Sequence, residues 1–232
     1  DMMALILADA RRFIDGEPTL EPAIKKYIRQ LIASSYERLG WEEKQDEPVQ
    51  DTKLRATIIG LGVYAEHEAI TKEALGYFEQ YKTDSQVVSS ELRSIVFGAA
   101  IRAKVDGAFD YLMELEETTS NVDLKQDLIS ALTLTREEIH IQTLLGRLKD
   151  ADKVRPQDLD RQLIYLMRNR YAQAAAWKWL QDSWDWIEKT FAGDKSYDNF
   201  PRYAATCFNT RALLEEYKTF FGPMQEITAL AR

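Results

Sequence analysis

A chain of 232 residues is long enough for one large domain or two small ones, and folding at that length buries roughly 70–75% of the unfolded surface. Hydrophobic residues at 45%, charged residues at 29% and a formal net charge of −8 are ordinary for a globular protein, and the acidic balance sets nucleic acid aside as a partner. Cys207 is the only cysteine, so no intrachain disulfide can form, and no Asn-x-Ser/Thr sequon occurs; both absences point to a reducing cytoplasm.

In chain order, the first apolar run, Met2 to Ala8, is too short to span a bilayer and is flanked by Asp1 and Asp9 rather than by basic residues, so no membrane segment or targeting segment is expected there. From that point helical periodicity is nearly continuous, and Gly (10) and Pro (6) are few. Short polar clusters interrupt it at 15–19, 42–52, 82–86, 117–123, 150–156 and 193–201, leaving segments of one helix or one helical pair. The stretch "LRATIIGLGVYAEHEAITKEALGYF" from Leu54 is matched by "LRSIVFGAAIRAKVDGAFDYL" from Leu92: Gly60 falls on Gly98 and Ala65 on Ala103. After a four-residue shortening, Ala74, Tyr77 and Phe78 fall on Ala108, Tyr111 and Leu112. A weaker third copy runs from Leu124 through Ala131 to Leu148. A unit of about 35–40 residues made of two helices is the mark of an α-solenoid. The fold expected is therefore all-α, a superhelix of antiparallel helix pairs of the HEAT/armadillo kind, in a single repeat domain over 1–232. Gly60 and Gly98 are expected to let paired helices approach closely.

Two histidines invite metal readings, and neither is complete. In "HEAIT", His67 and Glu68 begin a His-Glu-x-x-His zinc motif, but Thr71 stands where the second imidazole is required. The stretch falls where the two copies differ in length, which makes His67 and Glu68 turn or helix-start residues. Glu137-x-x-His140 has the spacing of one half of a di-iron site, but His67 has Tyr64 three residues before it and no second half exists. Thr135 with Glu138 has the form of a capping box, and Pro156 suits a first helical turn. Cys207 has no helix-start glycine or basic cluster to activate it, and no Gly-rich phosphate loop is present. No catalytic set is complete. The segment 171–191 is expected to be one helix, with Trp177, Leu180, Trp184, Ile187 and Phe191 on a core face and Trp179 and Trp186 on a second stripe.

The same segment carries a resemblance. Arg168-Asn169, then Ala176-Trp177-Lys178-Trp179-Leu180 with Trp184, then Thr210-Arg211 with Leu214-Glu215-Glu216, in that order, resembles the C-terminal helical domain of the aminopeptidase N family of zinc metallopeptidases. The likeness extends upstream over nearly the whole chain. It implies a non-catalytic domain that forms a bowl over its own catalytic domain, limits access to the active site, and accommodates peptide substrates whose N-terminal residues are removed by zinc-activated water. It implies no cofactor in this chain and zinc in the catalytic domain of a longer parent. The family's zinc motif, glutamate ligand, Gly-x-Met-Glu-Asn motif and catalytic tyrosine are not in this sequence, so the chain reads as part of a longer enzyme, incomplete at its C-terminal side. A bowl that receives peptides must manage a far-end carboxylate, and guanidinium groups suit that task. Arg168, Asn169 and Arg170 are the substrate-binding candidates; helix capping, or pairing with Asp160, is the competing structural role. The alternative function is a free-standing helical-repeat scaffold that binds a protein partner, although the Trp-x-x-Leu-Gly-x-x-Tyr half of a tetratricopeptide repeat is absent.

Overall fold

The computed structural model describes residues 2–14 and 16–224, apart from the side chain of Arg12. Every regular element among the described residues is helical, so the class is all-α as the periodicity predicts. By its contacts the chain divides into two compact units, Asp1–Leu132 and Thr133–Arg232.

The first unit contains α1 (Met2–Ile14), α2 (Leu20–Leu39), α3 (Val49–Tyr64), α4 (Glu68–Tyr81), α5 (Ser90–Arg102), α6 (Ala108–Thr118) and α7 (Val122–Leu132). Each helix packs on the next, and α3, α5 and α7 also pack in series. Ile28 and Ile32 of α2, Ile59 of α3, Ile70 and Phe78 of α4, Phe97 of α5, Leu112 of α6 and Leu128 of α7 are fully buried. Burying a side chain of this size stabilises the fold by about 1.5–3 kcal/mol. Edge-to-face rings tie the layers together: Phe78 stands 6.5 Å from Phe97 and 6.1 Å from Tyr111, and Tyr81 stands 4.9 Å from Phe97. The long α2–α3 connection is clamped by charge. Arg38 holds Asp51 through two hydrogen bonds of 2.6 and 2.9 Å, and the buried Arg55 guanidinium donates to Glu47 at 2.5 and 2.6 Å. The Lys44 backbone N–H and then Arg55 hold the Glu47 carboxyl below the usual carboxylate range; Arg38 does the same for Asp51.

The two matched copies agree down to backbone conformation. Ala65 and Ala103 end α3 and α5 with φ/ψ of −74°/3° and −76°/−5°. Glu66 and Lys104 follow with φ of 53° and 54°. The next N–H groups then reach back five residues, His67 to the Gly62 carbonyl at 2.9 Å and Val105 to the Ala100 carbonyl at 3.1 Å. This is the Schellman ending. A non-glycine residue in the left-handed region costs roughly 1–2 kcal/mol, so its use at both equivalent positions marks a shared turn. Beyond it the copies part: α4 starts at Glu68, but α6 starts only at Ala108, after Gly107 at φ 67°. They rejoin where Ala74 and Ala108, and Phe78 and Leu112, are buried alike. The two helices of the third copy, α7 and α8, lie in different units.

One expectation about glycine needs correction. A Cβ on Gly60 would meet Ile95 Cδ1 at 3.5 Å, an ordinary contact. The close approach is at Gly62 instead, where a Cβ would lie 2.4 Å from Ile70 Cδ1, 3.1 Å from its Cγ2 and 3.3 Å from Ile32 Cδ1. Ile32 and Ile70 are both fully buried, so neither can step aside.

The second unit contains α8 (Glu138–Gly146), α9 (Pro156–Arg168), α10 (Gln173–Asp182), α11 (Trp184–Phe191), α12 (Asn199–Cys207) and α13 (Arg211–Phe221). Helix α10 packs on α8, α9 and α11, α9 packs on α12, and α12 packs on α13. Pro156 opens α9, where its missing N–H has no helical partner to lose. The Thr135–Glu138 capping box does not form: Glu137 holds the N-cap position with no side-chain cap bond, and the Thr135 hydroxyl accepts the Glu137 N–H at 3.3 Å.

The tryptophan segment is two helices, not one. Buried Ser183, at φ/ψ −105°/5°, separates α10 from α11, and its N–H is shared between the Trp179 and Leu180 carbonyls. The core face is as the spacing predicts, with Trp177, Leu180, Trp184, Ile187 and Phe191 all buried. Trp177 meets Phe208 at 5.0 Å and Phe220 at 5.6 Å; Trp184 meets Phe221 at 5.0 Å and Tyr197 at 5.6 Å. The indole N–H of Trp177 donates to Glu216 at 2.9 Å. That of Trp184 is buried and has no acceptor among the described residues. The second stripe is only half covered: Trp179 and Trp186 stand edge to face at 6.4 Å, with the Lys149 ammonium 5.7 and 5.6 Å from their rings.

Two stability experiments follow from these contacts. Gly62→Ala should destabilise the protein by about 1–3 kcal/mol through overpacking, whereas Gly60→Ala should be neutral or stabilise it by up to about 1 kcal/mol through helix propensity. Denaturant unfolding of both variants checks the contrast, and equal effects would contradict it. In double-mutant cycles against Glu216→Ala, Trp177→Phe should show a coupling of about 0.5–1.5 kcal/mol for the lost hydrogen bond, and Trp184→Phe should add within about 0.5 kcal/mol.

Candidate functional site

The turn from α9 to α10 is organised by Asn169. It ends α9 at φ/ψ −81°/112°, leaving the helical region, and its carbonyl accepts the N–H groups of Ala172 at 2.9 Å and Gln173 at 2.8 Å, which starts α10. Its side-chain amide nitrogen donates to the Thr133 carbonyl at 2.9 Å and the Thr135 carbonyl at 2.6 Å, and its side-chain oxygen accepts the Tyr171 N–H at 3.0 Å. Both donors and one acceptor lobe are therefore used within the fold. Gln173 adds a second tie, donating to the Met167 carbonyl at 3.0 Å and the Cys207 carbonyl at 3.1 Å. Of the three candidates, Asn169 is the one the structure commits to holding the turn.

Its two neighbours are exposed. Arg168 sits in the last turn of α9, where a cation is favoured by the helix dipole. Its guanidinium makes no ion pair or hydrogen bond among the described residues. Asp160, its expected structural partner, instead accepts from Asn199 at 2.8 Å. The Arg170 guanidinium donates to the Tyr171 hydroxyl at 2.7 Å and lies 4.8 Å from that ring; the Arg136 guanidinium lies 5.5 Å from the same ring. Two cations thus bracket one half-exposed tyrosine, an arrangement in which the ring face offsets part of the repulsion between like charges. Sequence reasoning missed Arg136 and Tyr171. The pairing joins residues 35 apart with no periodic spacing, and Tyr171 was the only visible hint, as the neighbour of Arg170 in "MRNRY".

The two histidines have local roles. His67 is the N-cap of α4, its ring nitrogen facing the Ile70 N–H at 3.5 Å, and Glu68 is exposed. His140 Nδ1 lies 3.3 Å from the Thr135 hydroxyl and 3.5 Å from a Glu137 oxygen, so the Glu-x-x-His spacing does bring that pair together. Among the described residues, no group of three or more His, Cys, Asp or Glu side chains is placed to hold a metal ion. No helix among them is long and apolar enough to cross a membrane.

A family model described as the ERAP1-like C-terminal domain matches residues 1–232. The chain belongs to that family. It is 32% identical over 233 residues to aminopeptidase N of Lactococcus lactis subsp. lactis strain IL1403, covering 99% of this chain and 27% of that protein. It is 31% identical over 226 residues to aminopeptidase N of Lactobacillus helveticus, covering 97% and 27%. It is 25% identical over 218 residues to glutamyl aminopeptidase of Bos taurus, covering 93% and 22%. The chain thus spans about a quarter of the length of the curated relatives it matches. The structure gives physical content to the motifs on which the resemblance rests. Asn169 fixes the entry to α10, Thr210 caps α13 by accepting the Leu213 N–H at 3.3 Å, and Glu216 receives the Trp177 indole N–H.

Asn169→Asp tests the anchoring role with almost no change of shape. A carboxylate cannot donate to the two carbonyls, so the variant should lose about 2–4 kcal/mol, the cost of two buried acceptors left without partners. Thermal or urea unfolding reads it, and an unchanged midpoint would remove Asn169 from the turn's support.

Proposed function

We propose that this chain is the non-catalytic helical domain of a longer zinc aminopeptidase of the aminopeptidase N type, in which it covers the catalytic domain and shapes peptide access to it. The observation that carries this reading is the family match across all of residues 1–232, joined to the 27% share of the Lactococcus relative that the chain spans. Zinc and the catalytic groups belong to the remainder of that parent. A HEAT/armadillo-like stacking of antiparallel pairs is supported by the serial packing of α3, α5 and α7 and by the identical turns after Ala65 and Ala103. Such stacking in a single repeat domain would give a curved face suited to receiving peptides. A cytoplasmic setting fits the single cysteine and the missing sequon.

Within that reading, Arg168 and Arg170 are the substrate-facing candidates, and Asn169 is the rigid base that presents them. Arg168 is the stronger of the two, because the Arg170 guanidinium is already engaged by Tyr171. The test uses the parent protein, purified and assayed for zinc content and for release of N-terminal residues. Arg168→Ala should lower kcat/KM for longer peptides by about 5- to 150-fold, the size of one charge-assisted hydrogen bond, and should spare an uncharged aminoacyl reporter. Equal losses on both substrates would make Arg168 structural. A parent without zinc or peptidase activity would favour a helical scaffold that binds a protein partner.

A further inference from the structure

We propose that the half-exposed rings of Trp179 and Trp186 form a cation site that takes an ammonium group, the lysine side chain of a bound peptide, and that Lys149 is its internal occupant. The peptide rests on the reading just given; the cation chemistry rests on the rings. Their centroids are 6.4 Å apart and their planes meet at 76°, so they make the two walls of a notch on the outer stripe of α10 and α11, away from the buried Trp177 and Trp184. The Lys149 ammonium lies 5.7 and 5.6 Å from the two centroids, within the range over which a ring face attracts a cation. The notch therefore already holds the chemistry it is proposed to bind.

The rings alone hold Lys149 there. Its ammonium makes no hydrogen bond or ion pair among the described residues, although Asp150 and Asp152 follow it in the chain. Lys149 is exposed, and a lysine head on a four-carbon stem with no other contact can leave the notch at small cost. The charges around it select what replaces it. Asp150, Asp152, Asp182 and Asp185 are all exposed; Lys178 pairs with Asp182 at 2.8 Å, whereas the Asp152 and Asp185 carboxylates have no partner among the described residues. The whole chain carries a net charge of −8. An anion drawn to Lys149 would meet that field, and a cation is favoured by it. While Lys149 fills the notch, a ligand's apparent affinity is reduced by the fraction of molecules in which the notch is open.

Binding of short, N-acetylated, dye-labelled peptides to the parent protein, read by fluorescence anisotropy, tests the site. One peptide of each pair carries lysine and the other norleucine, its uncharged analogue, and the pair is walked along the peptide. Wild type should bind the lysine member more tightly at one or more positions. Lys149→Met empties the notch and should tighten that binding by about three- to tenfold, the size of exposed cation–π contacts, with the norleucine member unchanged. Lys189→Met removes a charge from the same helix as Trp186 and should do markedly less. Trp186→Leu keeps apolar bulk without a π face and should bring the two members together. Unchanged or weaker binding of the lysine peptide by Lys149→Met overturns the proposal. So does an equal gain in Lys189→Met, which makes the effect one of net charge, or an equal gain for norleucine, which makes the notch a plain apolar surface. A glutamate peptide that binds wild type more tightly than the lysine one, and loses that advantage in Lys149→Met, also overturns it, since an anion on Lys149 is then the occupant. Aminopeptidase activity and zinc content of the parent are read separately. An inactive parent that shows the Lys149 effect keeps the site and loses the functional reading; an active one without the effect loses only the site.

Discussion

A helix satisfies its own backbone but can bury its apolar stripe only against another helix, and no sheet among the described residues offers a second way to do it. The rest of the architecture follows from that constraint. Each helix of the first unit packs on its successor, and α3, α5 and α7 are also covered by one another. Close packing then decides which residues can be small. Gly62 is small because Ile70 and Ile32 fill the space a side chain would need, and Ala100, at the equivalent place in the second copy, has a side chain. The turn after each first helix is the same because a left-handed residue, Glu66 or Lys104, lets the following N–H groups satisfy the last carbonyls of α3 and α5.

What was legible in the sequence was what repeats or what has a period. Apolar spacing gave the helical class and the buried face of the tryptophan segment, and proline's fit to a first helical turn gave the opening of α9 at Pro156. The paired copies were readable because small residues, Ala65 and Ala103, matched along with large ones, and these turned out to be the turn residues. What was illegible depends on distance in space. The break at Ser183 leaves no trace in a pattern that continues through it, since Trp177, Trp184 and Phe191 stay on one face across the interruption. The crowded glycine was misplaced by two residues, because both Gly60 and Gly62 sit on the same helix and only the position of Ile70 on α4 distinguishes them. The capping box at Thr135 failed because Thr135 faces His140 and its carbonyl is taken by Asn169, 34 residues away.

The aromatic cluster under α13 shows how two sequence motifs can be the halves of a single contact divided between two places in the chain. Trp177 and Glu216 are 39 residues apart, yet one donates to the other. The motif order in the sequence is therefore the order in which α10 and α13 supply the halves of one joint. Trp184 packs against the same rings without an acceptor among the described residues, so its contribution there is burial and ring geometry. Two tryptophans seven residues apart on one face thus hold the same neighbours by different physics.

The sequence "RNR" shows the same division of labour at the scale of three residues. A side chain that holds a turn must spend its hydrogen-bonding capacity inward, and Asn169 does so while its two neighbours stay exposed. Asn169 has given its two N–H donors to the Thr133 and Thr135 carbonyls. Because those bonds fix the end of α9 and the start of α10 at once, the flanking guanidiniums leave the chain from a point that cannot swing. A charged group on a fixed base forfeits less conformational entropy on binding than one on a loose loop. Arg170 is further restrained by Tyr171, with Arg136 on the same ring, and Arg168 extends from the carbonyl end of α9, where the helix dipole favours its charge. The inward bonds of the asparagine hold the base from which both exposed arginines extend.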